Sequence, residues 1–154
     1  MASQNAATIF TCNSVSGAAV FLAGQSTVAY QLSTAGSTAI GGLTGSLFGS
    51  STAASTFRTL ITAGGSSVFT QDLADTTTRS IDANAALSTA LATAPDLPLP
   101  ASLATSSLGA QLRLVARMIA VRSALGAKRQ VFFVSLGGFD THDDQLTTQP
   151  GLYI

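Results

Sequence analysis

The run "QVFFVSL", residues 130 to 136, most constrains what this chain can fold into. Its apolar residues do not alternate with polar ones, and β-branched and aromatic side chains dominate it. A strand of that kind is covered on both faces, as in the parallel sheets of α/β proteins. The segment before it has helical spacing. From Ser107 to Leu125, Leu108, Leu112, Leu114, Val115, Met118, Ile119, Val121 and Leu125 leave only a narrow polar stripe through Arg113 and Arg117. Such a helix is expected to be buried on more than one side. Gly126 is a natural stop, and Lys128-Arg129 follow where a helix dipole favours cations. The sequence therefore predicts an α/β fold in which a buried helix feeds a central strand.

The 154 residues suffice for one domain with a real core, read in three stretches. Residues 1–50 are β-rich and dense in Gly, Ser and Thr. "ATIFTC", "AAVFLAG" and "TVAYQLS" are short β-prone runs, and in the last Val28, Tyr30 and Leu32 alternate with polar or small residues. They predict a small antiparallel ribbon. "GSTAIGGLTGSLFGSS" follows as a loop, with Ile40, Leu43, Leu47 and Phe48 expected to pin it to a core. Residues 51–100 read as helices and a linker. "TAASTFRTLITAGG" starts behind a Ser/Thr cap and stops at Gly64-Gly65. From Val68 to Ala94 a long helix is predicted, with Phe69, Leu73, Thr76, Ser80, Leu87 and Leu91 near one face. "PDLPLP" ends it in an extended connector. Residues 101–154 hold the helix, the strand and the loop beyond it.

Composition removes several functions. Seven Lys+Arg balance seven Asp+Glu, and only 9% of residues are charged. That cannot build the basic field of a nucleic-acid surface. The longest apolar runs fall short of the ~18 residues of a spanning helix, so no membrane span is expected. "MASQNAATIF" lacks the basic start of a secretory signal. Cys12, the single cysteine, makes no internal disulfide and reads as a small buried hydrophobe. Asp72, Asp75 and Asp82 lack the glycine turn and closing Glu of a calcium loop and read as a polar helix face.

Chemistry is concentrated in "GGFDTHDDQ", which lies where open α/β sheets bind ligands, beyond the carboxyl end of a strand. Gly137 and Gly138 allow a sharp turn and a close approach to a ligand. Asp140 and His142, two apart in an extended segment, point the same way and form two ligands for a zinc- or manganese-class ion. Asp143 or Asp144 adds a further ligand, or fixes the histidine tautomer. The same residues also compose an ordinary solvated turn and helix cap, because two-ligand pairs arise often by chance. Thr141 and Ser135 have no positioned base and are not expected to act as nucleophiles.

The run "RQVFFVSLGGFDTHDDQ", preceded by "LGAQLRLVARMIAVRSALGA", closely resembles the bacterial family known as domain of unknown function 1501, in the alkaline phosphatase and sulfatase-like superfamily. "FTCNSVSGAAVFLAGQSTVAYQLSTAG", "GLTGSLFG" and "TTRSIDANAALSTAL" also look like segments of it, so the resemblance covers nearly the whole chain. It implies a partial alkaline-phosphatase-like core behind an N-terminal ribbon and helical segment. It also implies that Asp140 and His142 bind metal and that the complete protein hydrolyses phosphate or sulfate esters. The family's other metal segments, Gly-Gly-Asn-Asp-Gly-like and Asp-His-Gly, do not occur here. The expectation is therefore an internal fragment, inactive alone and not retaining its ion, whose remaining ligands come from the rest of the domain or a homo-oligomer partner. Family members often carry an export signal, which implies a periplasmic or extracellular parent. The alternative is a non-catalytic secreted or surface-associated module with a vestigial metal loop.

Overall fold

The computed structural model describes residues 4–25 and 27–153. It is mixed α/β, 47% helical, with one three-stranded parallel sheet. Strands β1 (Cys12–Ser14), β2 (Tyr30–Gln31) and β3 (Val131–Phe133) stand in the order β2-β1-β3. The helices are α1 (Ser51–Thr62), α2 (Val68–Ala92), α3 (Ala101–Ala104), α4 (Ser107–Ala120) and α5 (Gln145–Thr148). Two compact units are distinguished, Ser37–Thr89 and the rest of the described residues.

The expected antiparallel ribbon is not formed. β1 pairs with β2 in parallel, with Asn13 opposite Tyr30 and Ser14 opposite Gln31. The intervening residues, 15 to 29, are long enough for the crossover that parallel neighbours require. They include a 3-10 turn at Val20–Leu22 that leaves Phe21 92% exposed. Alternation in "TVAYQLS" held only in part, because Leu32 is buried while Val28 is exposed. Tyr30 is half-buried and stacks edge-on against Phe10 at 5.3 Å, and burial raises the pKa of its hydroxyl above the usual tyrosine value.

The expected central strand is at the edge. β3 pairs on one side with β1, placing Cys12, Asn13 and Ser14 opposite Val131, Phe132 and Phe133, and its three residues are only half-buried. Among the described residues no strand pairs with its other side. The middle position falls to "CNS", where Asn13 and Ser14 are completely buried. Their donors turn back to nearby carbonyls, whereas the buried Asn13 Oδ1 accepts no hydrogen bond. Asn13 Nδ2 donates to Phe10 O at 2.8 Å, and Ser14 Oγ donates to Gly17 O. Cys12 is half-buried instead of fully enclosed.

A second polar junction holds the N-terminal segment to the turn before β3. The Asn5 carboxamide donates to Thr11 Oγ1 at 2.9 Å and to Arg129 O at 2.8 Å. Its oxygen accepts from Lys128 N at 2.8 Å and Arg129 N at 3.0 Å. Gly126 has φ +63, and a Cβ there would lie 3.2 Å from the Ala6 side chain, so glycine suits both the left-handed turn and the close approach.

Helix α4 starts behind Ser106, whose hydroxyl accepts from Gly109 N at 2.9 Å, but ends at Ala120, with turns continuing to Gly126. It buries one face, through Gln111, Leu114 and Met118, while Leu112 and Ile119 are exposed. Burial on several sides was read from side-chain types; the structure buries Leu114, Met118, Val121 and Leu125, half-buries Leu108 and Val115, and exposes Leu112 and Ile119. Arg113 pairs with Asp96, and Arg117 donates to Leu91 O at 2.9 Å. The polar stripe thus borders the proline connector, residues 95–100, which has no regular structure, as expected.

Within Ser37–Thr89, Ser50 caps α1 by accepting from Ala53 N at 3.2 Å. The loop before it is pinned less than expected, since Phe48 is 96% exposed with φ +53. Along α2 the expected face is buried only in its second half, at Leu87 and Leu91. Phe69 and Leu73 are exposed, whereas Ala74, Ile81, Leu87, Ala90 and Leu91 are buried. In the first half of the helix Ala74 is the buried position. Asp72, Asp75 and Asp82 are exposed on this helix.

Candidate metal-ligand pair beyond strand β3

The chain leaves β3 at Phe133 and is caught two residues later by α4. Gln111 Nε2 donates to Ser135 O at 2.9 Å, while Ser135 N donates to Gln111 Oε1 at 2.9 Å. The side-chain amide thereby acts as one more strand residue, satisfying both backbone groups that the short sheet leaves open. Gln111 is 7% exposed, so this clamp fixes where the following loop begins.

Gly138 then adopts φ +96, and a Cβ there would stand 3.4 Å from Leu152. Of the two glycines it is the one whose conformation demands glycine; Gly137 has no positive φ. Phe139 packs edge-on against Tyr153 at 5.8 Å, which ties the loop to the turn at Gln149–Leu152. The backbone reverses at His142, whose φ of +41 is uncommon for a residue with a side chain. Asp144 N donates to Thr141 O at 2.9 Å, closing the turn.

The reversal brings Asp140 and His142 together. Oδ1 of the first and Nε2 of the second lie 3.3 Å apart, with side chains 86% and 82% exposed respectively. The expected convergence is present, but a turn produces it instead of an extended strand. Asp143 and Asp144 are also exposed. Asp144 occupies the position before α5 without capping it through its side chain; only its carbonyl accepts, from Thr148 N at 3.0 Å and Thr147 Oγ1 at 3.1 Å. Among the described residues no three His, Cys, Asp or Glu side chains gather as a metal group.

The pair fits two positions of a coordination sphere. Donors about 2.0–2.1 Å from a tetrahedral zinc stand roughly 3.4 Å apart, close to the observed separation. An exposed carboxylate and imidazole are also chemically suited to zinc or manganese. A catalytic zinc takes about three protein ligands and an open position, which is one ligand more than the Asp140 and His142 pair offers. Gln111 was missed in the sequence, because a polar residue inside an apolar helical pattern reads as surface. Its position, one helical turn before Val115 on a helix otherwise rich in Leu, was the available signal.

No family model matches the chain, and comparisons with curated proteins and with solved structures find no match. Among the described residues no helix is long and apolar enough to cross a membrane.

Proposed function

We propose that this chain forms part of a metal-dependent hydrolase-like protein acting on phosphate or sulfate esters, with Asp140 and His142 as two ligands of a zinc- or manganese-class ion. The observation that carries the reading is the 3.3 Å approach of their donor atoms beyond the carboxyl end of a parallel strand. The resemblance of "RQVFFVSLGGFDTHDDQ" to domain of unknown function 1501 supports the reaction class. When bound, such an ion supplies Lewis-acid polarisation of the ester oxygen and activation of a nucleophile. This chain's own contribution is to hold a carboxylate and an imidazole in a turn anchored by Gln111. The nucleophile and further ligands belong, in this reading, to other segments of a longer protein, so the 154-residue chain is itself inactive.

A second reading draws on the exposure of the pair. A carboxylate and an imidazole this open to water also suit a non-catalytic secreted or surface-associated module whose metal loop is vestigial. Equilibrium dialysis of the longer protein against Zn²⁺ and Mn²⁺ separates the two. The hydrolase reading expects retained metal, and a loss of affinity of at least about tenfold in Asp140→Ala and His142→Ala, since even outer-sphere substitutions cost that much. Hydrolysis of p-nitrophenyl phosphate or sulfate falls with it. Absence of bound divalent metal in the longer protein contradicts the proposal.

A further inference from the structure

Within Ser37–Thr89 lies a half-open hollow of about 370 Å³, walled by the loop before α1, by Arg58 of α1 and by the second half of α2. That volume falls in the range of small-molecule sites. Ile40, Leu43, Ile81 and Ala85 supply its apolar surface, while Arg58 and Asn84 are its strongest polar groups. The Asn84 carboxamide is held by two hydroxyls. Its Oδ1 accepts from Ser37 Oγ and Ser88 Oγ, each at 3.2 Å, and those hydroxyls lie 2.9 Å from each other. With the carbonyl oxygen occupied, the amide NH₂ is the group left to bind a ligand.

Arg58 is similarly underused. Its Nη2 faces Asp82 Oδ1 at 3.7 Å, longer than a charge-assisted hydrogen bond, with the Arg58 side chain half exposed and that of Asp82 more so. Asp82 does not line the hollow. A guanidinium has five N–H donors in a fork matched to a carboxylate, so most of that capacity faces no carboxylate of this unit. Two donors beside an apolar wall, with no acidic side chain in the lining, define an amphipathic anion as the complementary ligand.

We propose that this hollow binds a small monocarboxylate with a compact apolar body, the carboxylate on Arg58 and Asn84 and the body against Ile40, Leu43 and Ile81. The proposal is independent of the metal loop. It is tested by titrating the isotopically labelled full chain with 4-phenylbutyrate, 4-phenylbutanol and 4-phenylbutylamine while following backbone amide resonances. Saturable shifts at Ile81 and Asn84 are expected, with the acid bound at least about tenfold more tightly than the alcohol, equivalent to one charge-assisted contact. Arg58→Gln should remove that preference and Arg58→Lys keep part of it. Asp82→Asn, which frees the guanidinium without entering the hollow, should tighten binding of the acid about two- to threefold, the scale of an exposed ion pair. Equal binding of acid and alcohol, no saturable shift at the lining residues up to about 10 mM ligand, or weaker binding in Asp82→Asn overturns the assignment.

Discussion

Asn5→Ala is expected to lower the stability of the chain by about 3 kcal/mol, because four hydrogen bonds converge on one buried carboxamide. The residue is 8% exposed and joins the N-terminal segment to the turn that launches β3. Its loss strands the completely enclosed Thr11 hydroxyl and leaves the Lys128 and Arg129 amides to recruit water. For a chain of this length, with total stability on the order of 5–15 kcal/mol, the melting midpoint should fall by roughly 10 °C. Asn5→Asp keeps the acceptor for both amides but sets a buried carboxylate oxygen where the amide donated to Arg129 O, so its midpoint should fall at least as far as that of Asn5→Ala. Thermal unfolding followed by circular dichroism checks the ranking. A loss under about 1 kcal/mol for Asn5→Ala would mean the junction carries little of the fold.

Gln111 has a comparable role nearer the candidate site. Gln111→Met keeps most of the side-chain volume and removes both bonds to Ser135, whereas Gln111→Ala also opens a void. The Met variant should lose about 2 kcal/mol locally, seen as roughly 30-fold faster hydrogen exchange at the Ser135 amide. The Ala variant should show the same acceleration with a further drop in global stability. Unchanged exchange in the Met variant would show that the loop after β3 is positioned by packing alone.

Both junctions explain why the sequence was only partly readable. Helices α1 and α2 and the proline connector were legible because caps, periodicity and prolines are local signals. The run "VFF" was legible as a strand. What sheet order required was not local. Apolar runs were taken to mark the centre of the sheet, yet the middle strand is "CNS", whose polar side chains return to nearby carbonyls. Asn5 and Gln111 bond across 124 and 24 residues, and no neighbouring residue announces such partners. On α2, the interior selected Ala74 and Ile81 over Phe69 and Leu73, a choice that depends on how closely other elements approach.

At the loop, the spacing of Asp140 and His142 was visible in the sequence, but the means of their convergence was not. A strand would bring alternate side chains to one side with several ångströms between them, whereas the turn at His142, with φ +41, brings their donor atoms to 3.3 Å. That turn is the local feature on which the metal proposal rests.

The most direct test of the proposal is a Mn²⁺ titration of the labelled 154-residue chain, read as paramagnetic broadening of its resonances. The account predicts weak, dialysable binding, with broadening centred on the His142 imidazole and the amides of residues 137–144 and abolished in Asp140→Ala and His142→Ala. Broadening that is absent from this loop, or that persists there in both variants, would contradict the assignment of Asp140 and His142 as metal ligands.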